Sequence, residues 1–362
     1  MKKQQLITEL QSHGLRLVDA AVGANGRRGG AGPSDHKAVT VDGTTVMVPI
    51  YTGTATQSPY TVEVQQGSRQ ATLTHTDSPV AAIEFPAQPK FYGLTTADGI
   101  PYWKIALLHS HDVLATTVQQ TCMRYRDEAT ACQFCAIEKS LDQGRTIARK
   151  TPAQLAEVAE AAVRLDGVTH MVMTTGTPNT TDRGTAYLAD CAKAIKALVD
   201  LPIQAQCEPP ADFAWFERMK AAGIDSLGMH LEAVNAQVRA KIMPGKAEIP
   251  VSVYFEAFAA AVKVFGWGQV STYLLAGLGD SLETLVETSE RLIDLGVYPF
   301  VVPFVPITDT PLAHHPAPAT DFMAAVYQRV GALLKRAGMT SDAINAGCAK
   351  CGACSALSAF EK

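Results

Sequence analysis

From Val113 to Phe304 the sequence runs through apolar stretches of strand length, at Val113 to Val118, Thr169 to Thr174, Ile203 to Cys207, Ser226 to Leu231, Val270 to Ala276 and Val297 to Phe304. Amphipathic segments of helical length separate them. About six strand-helix units in succession restrict the fold sharply, because parallel neighbours need crossover connections and buried parallel strands read as continuous apolar runs. The expectation is an α/β chain with a partial, barrel-like (β/α)6 sheet and functional loops at the carboxyl ends of its strands. Helix starts agree. Thr151-Pro152-Ala153-Gln154 combines an N-cap, a proline at the first helical position and a capping-box glutamine, and Asp280-Ser281-Leu282-Glu283 repeats the logic.

Residues 1–100 follow a different pattern. A helix over Gln4 to Leu17 leads into a glycine-rich stretch, Gly23 to Pro33, and then into alternating runs at Lys37 to Val41, Thr44 to Tyr51, Tyr60 to Gln65 and Gln70 to His75. Asp42-Gly43 predicts a hairpin, since both residues tolerate the positive φ such a turn needs. The expected organisation is a β-rich accessory domain over 1–100, the barrel over 101–338, and a short polar tail over 339–362 that follows a last helix at Asp321 to Ala337. Arg27-Arg28 in the glycine-rich stretch suggests an anion contact, although such a pair is commonly solvated charge.

The net charge of -4 and pI near 6.1 give no general attraction to a phosphate backbone, which argues against nucleic acid and for a small neutral or anionic partner. The N-terminus lacks a secretory apolar core and no run reaches the ~18 apolar residues of a membrane span, so a cytoplasmic protein without membrane contact is expected. In that reducing compartment eight cysteines do not suggest a disulfide framework, and six of them fall into two tight triplets, which points to metal. Cys191, on a helix expected over Ala186 to Val199, is a core cysteine, and Cys207 is open to either reading.

The first triplet, Cys122, Cys132 and Cys135, lies just after the first barrel strand, where a loop can wrap an inorganic cluster. A cubane has four irons, so three thiolates leave one free to bind a substrate or cofactor. A structural zinc site is the alternative; zinc wants four ligands, and His109 or His111 would have to supply the fourth.

At this point the sequence resembles a family. A strand followed by a cysteine triplet ending Cys132-Gln-Phe134-Cys135 is similar to the signature of radical S-adenosylmethionine (SAM) enzymes, although nine residues separate the first two cysteines here and the commonest spacing is three. Cys132 through Arg145 and His230 through Gly245 resemble biotin-synthase-like and lipoyl-synthase-like members, and the whole chain resembles the uncharacterised radical SAM proteins of nitrilase-containing gene clusters. The resemblance implies a [4Fe-4S] cluster on Cys122, Cys132 and Cys135, with SAM chelating the open iron and Phe134 at the cofactor site. It places Thr174-Thr175-Gly176-Thr177 at the SAM amino group, by position more than by letters, and His230 and Glu232 at the ribose. It puts Arg239 at the SAM carboxylate, with Lys241 competing, and Gly277 and Gly279 at the adenine-binding edge. Glu208, and Gln206 with less force, would face the barrel mouth and serve SAM or substrate.

The second triplet, Cys348-x2-Cys351-x2-Cys354, has the spacing by which bacterial ferredoxins wrap a cluster corner, and predicts a second iron-sulfur cluster, expected as [4Fe-4S]. The next cysteine of that pattern is replaced by Ser358, a weaker and more exchangeable ligand; the alternative is a small zinc knuckle. Three functions follow. One is sulfur insertion at an unactivated carbon of a small-molecule or acyl substrate, as in lipoyl synthase, with the auxiliary cluster as donor. Another is radical oxidation or rearrangement with that cluster as electron relay or substrate anchor. The last is a redox sensor without turnover. The enzyme readings need an electron donor such as flavodoxin or ferredoxin.

Overall fold

The structure, a computed structural model, describes residues 2–17, 35–63 and 68–361. The glycine-rich stretch with Arg27-Arg28 and the end of the expected run Tyr60 to Gln65 lie outside the described residues.

Strands β1 (Arg16–Leu17), β2 (His36–Val41), β3 (Thr44–Pro49), β4 (Tyr60–Glu63), β5 (Gln70–His75) and β6 (Ser78–Glu84) form one sheet in the order β1-β4-β5-β6-β2-β3. Its pairs are antiparallel except β1 with β4. The β2-β3 turn is the one the dipeptide predicts: Asp42 and Gly43 both hold positive φ, 45° and 74°. The first helix spans Lys3–His13 and stops short of Leu17 because Gly14, at φ 76°, turns the chain where a Cβ would stand 2.7 Å from the Pro49 carbonyl oxygen.

The second sheet holds β7 (Leu107–His109), β8 (Val113–Gln119), β9 (His170–Thr175), β10 (Ile203–Gln206), β11 (Ser226–Gly228), β12 (Val270–Ala276) and β13 (Val297–Pro303), ordered β13-β12-β11-β10-β9-β8-β7. β8 to β13 are parallel, and β7 adds an antiparallel edge. Helices Pro152–Asp166, Thr185–Leu198, Trp215–Ala221, Val251–Phe265 and Leu282–Asp294 make the crossovers, and Thr320–Ala337 follows β13. Thr151 and Gln154 form the expected capping box, whereas at the second start the cap is Ser281, which accepts the Thr284 N–H, and Asp280 is taken instead by the Val234 and Asn235 N–H groups. β7 and β13 remain edges, so the barrel is partial. One hydrophobic core joins Leu6, Ile7 and Leu10 of the first helix, Val39 and Val41 of β2, the barrel strands, and Leu357 near the C-terminus.

Two further expectations are corrected. β11 ends at Gly228 and not at Leu231: Leu231 N–H bonds to the Thr272 hydroxyl (2.9 Å) and Glu232 takes φ 63°, so the strand kinks before touching β12 again by a single bridge at Leu274. The C-terminal segment is no solvated tail. Ser355 Oγ donates to the Val301 carbonyl of β13 (2.5 Å), Met47 N–H of β3 donates to the Ala353 carbonyl (2.7 Å), and Cys354 stands beside His109 of β7. The segment thus lies between the two sheet edges and gives their backbone groups partners. Small residues permit this. A Cβ on Gly347 (φ 108°) would lie 2.1 Å from the Gln204 amide carbon, and one on Gly331 would lie 2.6 Å from the Phe360 carbonyl oxygen.

Candidate functional site

The loop carrying the first triplet leaves β8 and is held from three sides. Met123 N–H donates to the Thr177 carbonyl (2.9 Å), Gln133 N–H to Ile242 (2.8 Å), and Gly245 N–H to Thr130 (3.1 Å). Two glycines allow the approach: a Cβ on Gly176 would stand 2.2 Å from the Thr121 carbonyl oxygen, and one on Gly245 would stand 2.6 Å from that of Thr130. A turn joins Cys135 N–H to the Cys132 carbonyl (3.0 Å). The three cysteines are half-buried free thiols, close enough that Cys135 feels charge on Cys122, and Cys132 feels charge on Cys135. Burial pushes the Cys135 thiol up to about 12, against one hydrogen bond from the Ile137 N–H. Coordination to a metal centre reverses that preference by binding the thiolate.

Around this loop the strand ends present charged pairs. Arg124, two residues after Cys122, pairs with Glu208, and Arg183 faces the other Glu208 oxygen at 3.6 Å. Lys246 donates to Glu232 at 3.2 Å. Burial disfavours charge on Lys246, but Glu232 outweighs it and holds the ammonium above its ordinary range. His230 stacks on Tyr273 with ring centroids 4.3 Å apart and accepts at Nδ1 from the Tyr273 N–H (3.2 Å), while its buried Nε2 has no partner. Burial brings the His230 imidazole down to about 4.

Thr174 hydrogen-bonds Thr117 (2.8 Å) and Thr175 its neighbour Gly176, so both hydroxyls have protein partners. Gly277 and Gly279, at φ 107° and 128°, shape the turn after β12, where Asp280 accepts from Val234 and Asn235 N–H groups at 2.7 and 2.8 Å. Arg239 is not placed to hold a ligand carboxylate. It is 2% exposed and donates to four carbonyls, those of Leu231, Ala233, Lys246 and Ile249, at 2.8 to 3.3 Å. Its planar fork clamps the kinked loop after β11. Lys241 is exposed. Lys246 and Arg124 are cations that stand beside the thiols of the cysteine loop, and neither was singled out from sequence.

The second triplet lies inside the barrel. Gly347 N–H donates to His170 Nδ1 (3.1 Å) and Cys348 N–H to Gln204 Oε1 (3.1 Å). Gln206 Nε2 donates to Cys348 Sγ at 3.1 Å, so Gln206 serves this triplet and not the first. His109 Nε2 stands 3.4 Å from Cys354 Sγ, which corrects its assignment as a companion of the first triplet; His111 is exposed and paired with Asp112 at 3.4 Å. Ser358 lies over Gly352, its hydroxyl 3.2 Å from where a Cβ there would stand. Cys191 and Cys207 are both buried in the core.

A cavity of about 220 Å³ lies against the second triplet and reaches Phe134 of the first cysteine loop, without Cys122, Cys132 or Cys135 in its wall. Phe134 and Cys354 both line it, with Tyr273, Leu275, Val302 and Phe304 supplying apolar wall. Gln11, His36 and Met47 bring the N-terminal segment into the same wall.

Residues 122–292 match the family model for the radical SAM superfamily. This chain carries a radical SAM domain. Over 140 residues it is 32% identical to bacteriochlorophyllide c C-7(1)-hydroxylase of Chlorobaculum limnaeum, a match that covers 38% of this chain and 35% of that protein. The aligned stretch is thus about a third of the relative's length. Two solved structures of similar shape are a methylornithine synthase (TM-score 0.43, 17% identity, 56% of each chain) and a radical SAM methyltransferase from Sphaerobacter thermophilus (TM-score 0.46, 15% identity, 78% of this chain and 75% of that one).

The radical SAM domain implies a [4Fe-4S] cluster and SAM, and the residues present fit them. Three free thiols on one loop at the carboxyl end of the parallel strands are the ligand type an iron-sulfur cluster takes. Among the described residues no three His, Cys, Asp or Glu side chains stand gathered as they would be around a bare metal ion. No helix among them is long and apolar enough to cross a membrane.

Proposed function

We propose that this chain is an enzyme that cleaves SAM reductively and directs the resulting 5'-deoxyadenosyl radical to a C–H bond of a compact, largely apolar small-molecule or acyl substrate. The observation that carries the reading is a cavity whose wall includes both Phe134, from the first cysteine loop, and Cys354 of the second triplet. Cys122, Cys132 and Cys135 would hold the cluster. When bound, the cluster and SAM supply one-electron cleavage of a carbon-sulfur bond.

The chain's own residues position and enclose. Lys246 and Arg124 put positive charge beside the thiols, each held in place by a carboxylate, Glu232 and Glu208 respectively. His230 Nε2, buried without a partner, and Glu232 at the kinked end of β11 are the groups proposed to meet the ribose. Apolar walls keep water from a reactive carbon radical. A flavodoxin or ferredoxin is the proposed reductant.

Anaerobic reconstitution followed by SAM and dithionite should yield 5'-deoxyadenosine, and Cys132→Ala should abolish it. No 5'-deoxyadenosine from protein with a full first cluster would defeat the enzyme reading and leave the sensor. For the second triplet, the donors gathered around its thiols favour a retained redox or anchoring cluster over a sacrificial sulfur source. Loss of inorganic sulfide in step with turnover would reverse that preference and point to sulfur insertion.

A further inference from the structure

The thiols of the second triplet are met by hydrogen-bond donors from four separate elements of the fold. Gln206 Nε2 lies 3.1 Å from Cys348 Sγ and the Tyr273 hydroxyl faces the same sulfur. Ser110 and the Ala353 N–H face Cys351, and His109 Nε2 lies 3.4 Å from Cys354 Sγ.

The surrounding network fixes which atoms are donors. Cys348 N–H donates to Gln204 Oε1, so that oxygen is an acceptor. Gln206 reaches the same oxygen at 2.8 Å, which requires its amide nitrogen there and therefore at Cys348 as well. A thiolate ligand carries no proton, so a neutral His109 facing Cys354 must carry its own on Nε2. That tautomer leaves Nδ1 as the buried atom without a partner, as found. The first triplet is different: Cys135 receives one backbone N–H, from Ile137, and the charges beside its thiols are of both signs, Lys246 and Arg124 against Glu232 and Glu208.

We propose that Gln206, Tyr273, Ser110 and His109 act as positioning residues that raise the reduction potential of the cluster on Cys348, Cys351 and Cys354 above that of the cluster on Cys122, Cys132 and Cys135. The inference rests on reading the second triplet as cluster ligands. Reduction adds negative charge that spreads over the sulfurs, and hydrogen bonds to charged sulfur are stronger than those to neutral sulfur. Donors aimed at the thiolates therefore favour the reduced state, one of the recognised controls on cluster potential.

The test is a potentiometric titration of reconstituted full-length holoprotein followed by electron paramagnetic resonance, with iron and sulfide counted in each sample. SAM should perturb only the lower-potential signal, and Cys351→Ala should remove only the higher-potential one. Gln206→Leu and Tyr273→Phe should each shift the higher potential downward at unchanged iron content. His109→Phe should do the same, with His109→Gln, which restores a donor, recovering part of the shift. Tyr273→Phe removes only a hydroxyl and remains informative if a larger change disturbs assembly. The proposal is overturned if the SAM-sensitive cluster has the higher potential, or if no donor variant moves it. Iron and sulfide for a single cluster in the unaltered protein, undiminished in Cys351→Ala, would instead overturn the underlying assignment of the triplet.

Discussion

Glu361 anchors the C-terminal segment, and its removal gives a worked test of how that segment is held. The side chain is 2% exposed and accepts from the Tyr298 hydroxyl (2.6 Å), the Ser341 N–H (2.8 Å) and the Ser341 hydroxyl. Glu361→Ala leaves the first two donors buried without a partner, while the serine hydroxyl is free to rotate elsewhere. Two orphaned donors at roughly 1–3 kcal/mol each give a loss of about 2–6 kcal/mol. Glu361→Gln keeps the shape and an acceptor, so it should cost less. Tyr298→Phe removes one of the two orphans, so in the double variant Glu361→Ala/Tyr298→Phe the losses should fall short of additivity. The assay is urea denaturation of apoprotein under reducing conditions. In parallel, iron bound by the second triplet should fall, because the same segment carries Cys348 to Cys354. A Glu361→Ala variant within ~0.5 kcal/mol of the unaltered chain would refute the reasoning, since that is the range of ordinary surface changes.

Burial holds His170 and His230 neutral, each with its imidazole brought down to about 4 from an unfolded value near 6.5. The unfolded chain therefore binds more protons between those limits, and stability should fall as pH drops from 6.5 toward 4; a flat denaturation profile across that window would contradict it. Gly176→Ala places a methyl where the Thr121 carbonyl stands, 2.2 Å away, so the first cysteine loop must shift and iron uptake at that site should drop with little change at the second. Arg239→Lys cannot serve four carbonyls, and should lower stability by about 2–5 kcal/mol while leaving the KM for SAM near its original value in the protein that remains folded. A large KM increase without destabilisation would restore Arg239 as a ligand-binding residue.

Where one periodicity dominates, the chain is legible locally. Gln70–His75 and Val270–Ala276 coincide with the expected runs, because alternation and continuous burial each leave a plain pattern. The kink after β11 was not legible. Ser226 to Leu231 is apolar enough to continue as a strand, and it is the Thr272 hydroxyl, from a neighbouring strand, that takes the Leu231 N–H and turns Glu232 into positive φ. Arg239 shows the same limit: a buried arginine serving four carbonyls and one serving a ligand carboxylate have the same neighbours in sequence.

Sequence by itself determined the succession of parallel βα units, the turn at Asp42-Gly43, the capping box at Thr151 and the two cysteine triplets with their spacings, since each depends on residues within one or two turns of one another. Only the tertiary structure decided that the last segment fills the opening between β7 and β13, that His109 and Gln206 face the second triplet and not the first, and that Lys246 and Arg124 stand beside the first. Those pairings join residues up to 245 positions apart. Contacts of that range are set by which surfaces the closing sheet brings together, and no local pattern encodes them.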